Sequence, residues 1–116
     1  MNAPVNALKA IQDDFRKREV WAKGALVIQS SPNGAVYIDP DTWRYDAFGA
    51  LIKWADYGDR QSRYGWEIDH TIPVALGGSD ALANLRPLHF LNNASLGGGL
   101  GAAMANSGIG NFKPPQ

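Results

Sequence analysis

Glu67, Asp69 and His70 fall within four consecutive positions of a 116-residue chain that holds only two histidines. Carboxylate oxygens are hard, anionic ligands suited to Mg²⁺ or Mn²⁺. An imidazole, with an unperturbed pKa of about 6.5, suits a general base near neutrality. A held cation and a base are the minimum apparatus for hydrolysing a phosphodiester. The cation neutralises charge gathering on the phosphate, and the base takes a proton from water. Further polar residues follow in YGWEIDHTIPVALGGSDALANLRPLHFLNN (64–93): Asn84, His89, and the pair Asn92 and Asn93. The chain has no cysteine, so disulfides and a thiolate zinc knuckle are ruled out. Any metal must be held by His, Asp, Glu or Asn.

These side chains need elements to position them. A strand over Trp66–His70 points Glu67 and Asp69 to one face and His70 to the other, and twist at its end brings Asp69 and His70 to one mouth. VALGGSDALAN is too glycine-rich to continue that strand and reads as a surface loop, with Gly77 and Gly78 as turn residues of positive φ. LRPLH is extended, because Pro87 disfavours helix at the residue before it. A short helix starting near Phe90 then carries Asn92 and Asn93. Upstream, Asn6 can cap a helix to about Ala22 with Leu8, Ile11 and Phe15 at helical spacing. Asp13 and Asp14 precede Lys17 and Arg18 by four residues, a favourable order on a helix. The basic run at 16–18 reads as a solvated face or a phosphate patch. Two short strands flank the Pro32-Asn33-Gly34 turn, and another strand is expected over Ala50–Trp54. Trp66, Ile68, Ile72 and Leu85 are expected in the core.

Length predicts one domain, and 45% hydrophobic content with twelve aromatic residues supplies a modest core. Eleven basic residues balance eleven acidic ones, so the total carries no nucleic-acid signature. Residues 1–63 hold nine of the basic side chains, whereas 64–116 hold only Arg86 and Lys113 against Glu67, Asp69 and Asp80. No apolar run approaches the roughly 18 residues of a membrane span. The first residues lack the basic flank and apolar block of a secretory signal. No membrane partner is expected.

The pattern EIDHxIPxxxGG, then NL, then PLHxxNN resembles the HNH endonuclease family. The likeness extends upstream through VWAKG, DPDTWRYDAFGALI and DYGDRQSRYG to bacterial members without the cysteine knuckle. It implies an α+β fold, a ββα-metal (His-Me finger) core with an N-terminal helix and an extra β-hairpin. The domain would span 1–116: helix and hairpin over about 6–63, motif over about 64–97, and a Gly/Ala-rich tail beyond. By the same resemblance Asp69 and Asn93 bind one divalent metal, Mg²⁺ or Mn²⁺ first and Zn²⁺ or Ni²⁺ as further candidates. His70 is the general base, and Asn84 holds the loop and orients it. His89 falls where knuckle-bearing relatives have a cysteine, and reads as a packing residue or a metal contact. Glu67 reads as a partner of Arg63 or Arg86, or as orienting a water. The implied substrate is DNA, nicked with low sequence specificity and contacted by Arg86, Arg63 and Arg60. A homodimer or protein partner would be needed to cut both strands in one event. The implied setting is a bacterial or phage-encoded cytoplasmic protein, with signal-independent export left open. Two other readings remain: a non-catalytic nucleic-acid or protein-interaction module, and the nuclease domain of an antibacterial toxin.

The sequence departs from the family at Leu96, where relatives carry a Lys or Arg soon after the last motif residue. A lost phosphate contact weakens DNA affinity and leaves binding to Arg86, Arg60, Arg63 or the 16–18 cluster. Leu96→Lys should therefore tighten DNA binding and steepen its salt dependence by about 0.9 in log K per log salt. Titrations at several ionic strengths check both.

Overall fold

A computed structural model describes residues 3–95, so Leu96 and the expected tail lie outside the described residues. The chain is α+β, with one long helix and small antiparallel sheets. Helix α1 (Ala3–Trp21) begins before the expected cap at Asn6, which lies inside it. Pro4 suits a first turn, where φ is preset and no helical N–H is lost. β1 (Ala25–Leu26) leads into a hairpin of β2 (Ile28–Ser31) and β3 (Gly34–Tyr37), joined as expected by Pro32 and Asn33. β4 (Trp43–Tyr45) and β5 (Leu51–Lys53) complete a three-stranded sheet in the order β1-β4-β5. β5 is the strand expected over Ala50–Trp54. β4 is too short to show a period, which is why the sequence pattern does not reveal it.

The last part of the described chain follows the expected order. β6 (Trp66–His70) pairs antiparallel with β7 (Leu85–His89), and α2 (Phe90–Ser95) follows without a break. α1 covers one face of this hairpin with its final turn: Val20 and Trp21 pack with Ile52, Trp66 and Leu85. Trp21 lies 5.0 Å from Trp66 and 5.6 Å from Trp54 between ring centroids, distances at which tilted and edge-on rings attract. Leu8, Ile11 and Phe15 do recur at helical spacing, but all three are more than half exposed. Ile72 is likewise exposed, contrary to its expected place in the core.

The basic run of α1 is neither a plain solvated face nor a free phosphate patch. Arg16 donates to the Asp80 carbonyl at 2.6 Å. Lys17 sits 4.6 Å over the Trp54 ring, and Arg18 lies 4.8 Å over the same ring while bonding Asp14 at 3.3 Å. Cation–π attraction has taken Lys17 from its expected partner, and Asp13 pairs with Lys9 instead. Farther along, Lys23 donates to the carbonyls of Leu82 and Leu85, fixing the entrance to β7. Among the described residues no helix is long and apolar enough to cross a membrane.

One buried carboxylate joins the two sheets. Asp46 Oδ1 accepts from the Phe48 and Ala50 amides at 2.9 and 2.8 Å, closing the β4–β5 turn. Its Oδ2 accepts from the His89 amide at 2.9 Å and the Asn92 side-chain amide at 2.8 Å. A buried anion is tolerated only when its lone pairs are satisfied, and here donors from two distant segments do so. Asp46→Ala would strand these donors and should destabilise the fold by about 3 kcal/mol or more, read as a lower urea midpoint.

Candidate active site

Register in the β6–β7 hairpin sets the site. Asp69 stands opposite Arg86 and Glu67 opposite Leu88, so Glu67, Asp69 and Arg86 share a face. The Arg86 guanidinium bonds Asp69 Oδ2 at 2.9 Å. The reversal into α2 depends on Gly65, whose carbonyl accepts from the Phe90 amide at 3.1 Å. A Cβ on Gly65 would lie 2.0 Å from the Asp59 carbonyl oxygen, so only glycine allows that approach. The turn brings Asn93 back over β6, where its amide nitrogen donates to Glu67 Oε1 at 2.9 Å.

Glu67 is in turn gripped by Arg60 through two bonds of 2.8 Å, one to each carboxylate oxygen. This corrects the expected pairing with Arg63 or Arg86, because register commits Arg86 to Asp69. The Arg60 hydrogen bond is the main influence lowering the Glu67 pKa from the usual glutamate range. Partial burial opposes it, and the Asn93 bond adds to it. Glu67 is thus held as an anion, which fixes the Asn93 nitrogen toward it.

The loop between the strands is closed by Asn84. Its Oδ1 accepts from the Ile72 amide at 2.8 Å, and its Nδ2 donates to the Ile72 and Ser79 carbonyls at 3.1 and 2.8 Å. Gly78 packs into this closure: a Cβ there would meet the Ile72 carbonyl oxygen at 1.7 Å. Of the two glycines expected at positive φ, only Gly77 adopts it, with φ 88°. The same loop presents Asp80, whose Oδ1 lies 2.7 Å from His70 Nε2. Sequence reasoning passed over Asp80, although a carboxylate ten residues past a histidine across a glycine turn is a usable signal. It also passed over Asp46, two of whose four hydrogen-bond partners lie more than 40 residues away.

Asp69, His70, Arg86 and Asn93 line one cleft of about 540 Å³ together with Ile68, Thr71, Pro73 and Val74. His70 also borders a second groove, facing Phe15 and Arg16 of α1. The donor set fits a hard divalent cation. Asp69 keeps Oδ1 beside the oxygen bonded to Arg86, and Asn93 keeps its carbonyl oxygen because Glu67 has claimed its nitrogen. Among the described residues no three His, Asp or Glu side chains form a metal-binding group, so a cation here would rest on one carboxylate and one amide.

His89 is buried. Its Nε2 lies 2.6 Å from the Arg63 carbonyl, and its Nδ1 accepts from the Leu91 amide at 3.1 Å. Both ring nitrogens are committed to backbone, which makes His89 a packing residue at the strand–helix junction. Asn92 is buried against Asp46, leaving Asn93 as the asparagine of the cleft. Of the basic residues considered for DNA, Arg60 and Arg86 are engaged by acids, and Arg63 is exposed.

Asn84→Ala removes three loop-closing bonds while leaving the hairpin register intact. Exchange of the Ile72 amide with solvent should accelerate roughly tenfold, with little change in global stability. Hydrogen exchange read residue by residue checks this; an unchanged Ile72 rate would mean the loop closes without Asn84.

No family model, curated protein or solved structure matches this chain.

Proposed function

We propose that the chain is a metal-dependent nuclease that hydrolyses DNA phosphodiester bonds, with β6, β7 and α2 forming a ββα-metal core. The observation that carries this reading is the shared cleft of Asp69, His70 and Asn93. Residues 23 positions apart meet there at the junction of two strands and a helix. Asp69 and Asn93 would hold a single Mg²⁺ or Mn²⁺ ion. When bound, that ion would supply electrostatic stabilisation to the phosphate and leaving oxygen.

The remaining work falls to this chain's own side chains. His70 takes a proton from the attacking water. Asn84 keeps the loop closed, so that the groups flanking the imidazole stay in place. Arg86 lies beside Asp69 and can turn from the carboxylate to a phosphate oxygen when DNA enters, trading one charge-assisted bond for another. Arg60 and Arg63 add positive charge along the backbone path. By the family resemblance the products carry a 5′-phosphate and a 3′-hydroxyl. Backbone contacts dominate such binding, so sequence specificity is low. One site cuts one strand.

A second reading has an observation of its own. Arg86 already neutralises Asp69, which lowers the negative charge offered to a cation and suits an interaction module that keeps the finger as scaffold. A plasmid-nicking assay separates the two. Supercoiled DNA should relax with Mg²⁺ or Mn²⁺ and stay supercoiled with EDTA. His70→Ala should lower the rate by about 100-fold or more while leaving DNA affinity nearly unchanged. DNA binding without metal-dependent nicking would favour the module.

A further inference from the structure

We infer that Asp80 is the positioning residue for His70, and that it assigns the proton-accepting role to Nδ1. This rests on the nuclease reading for its catalytic consequence, though the pairing itself stands on geometry. His70 Nε2 and Asp80 Oδ1 are 2.7 Å apart. An ionised carboxylate is an acceptor only, so Nε2 must carry the hydrogen and donate it. In the neutral ring the remaining nitrogen, Nδ1, then holds the lone pair. A proton taken from the attacking water goes to Nδ1, while the Nε2 proton stays on the ring and remains bonded to Asp80.

The Asp80 side chain is 91% exposed, and a floppy surface pair would carry little meaning. This one is not floppy. Arg16 of α1 holds the Asp80 carbonyl at 2.6 Å. Asn84 holds the carbonyl of Ser79 at 2.8 Å, and the Ser79 hydroxyl accepts from the Ala81 amide at 3.2 Å. The backbone is thus tied at Asp80 and on both sides of it, by Arg16 from the remote helix α1 and by Asn84 and Ser79 from within the loop. The carboxylate is presented to the imidazole already in place, and the ordering cost is met by the fold.

The test combines kinetics with ¹⁵N spectroscopy of the imidazoles, which a chain with two histidines makes simple to assign. His89, whose Nε2 is bonded to a backbone carbonyl, serves as the internal reference. At a pH where both rings are neutral, wild-type His70 should show a protonated Nε2 and a bare Nδ1. Asp80→Ala should move the His70 signals toward the averaged values of a free imidazole and leave those of His89 unchanged. In the nicking assay the same variant should lose about 10- to 100-fold in kcat, with KM and Tm nearly constant. Asp80→Glu, which restores a carboxylate on a longer arm, should recover most of that loss. Unmoved His70 signals in Asp80→Ala would overturn the pairing, whether or not the protein cuts DNA. Moved signals with unchanged kcat would overturn the positioning role. If wild type fails to nick DNA while the signals still move, the nuclease reading falls and takes the catalytic role with it, and only the pairing survives.

Discussion

The Asp46 carboxylate is the constraint on which the site depends. It sits among buried residues and takes two hydrogen bonds from its own turn and two from the β7–α2 junction. The first pair shapes the three-stranded sheet, and the second anchors the start of α2. Its direction comes from tertiary anchors: Asp46 on Asn92, Gly65 on Phe90, and Glu67 on Asn93. Without them Asn93 would have no fixed relation to Asp69. Among the described residues Asn92 Oδ1 has no hydrogen-bond partner, so this asparagine holds the junction through its nitrogen.

The acidic groups around the cleft are individually partnered. Glu67 has Arg60, Asp69 has Arg86, and Asp80 has His70. On the nuclease reading proposed above, a cation entering the cleft would share Asp69 with the Arg86 guanidinium. On that same reading, DNA phosphates would supply new acceptors for Arg86 and counter-charge for the cation. Metal and substrate binding would thereby be coupled, each easing the entry of the other.

α1 contributes more than a lid over the hydrophobic face. Its last turn builds the tryptophan cluster, while Arg16 reaches the loop that carries Asp80. A single rigid element thus supports both the core beneath His70 and the carboxylate beside it. Leu8, Ile11 and Phe15 stay exposed because the hairpin is only five residues long and meets only the end of the helix.

What the sequence determined by itself was local. The strand over Trp66–His70, the break at GGSDALAN, the extended LRPLH and the short helix after it all appear as expected, because alternation, glycine and proline act within a few residues. The loop-holding role of Asn84 came from the family resemblance, and its side chain does close that loop. Tertiary structure decided the partners. Arg86 went to Asp69 rather than Glu67 because strand register aligns those two, and register follows from which faces are buried. Lys17 left Asp13 for a tryptophan brought from more than 30 residues away. Asp46 gained its importance only when His89 and Asn92 arrived beside it, and Asp80 only when the closed loop placed it against His70. Such pairings depend on distances in space that no spacing along the chain encodes. The candidate chemistry could therefore be read from residue types, while its geometry had to come from the fold.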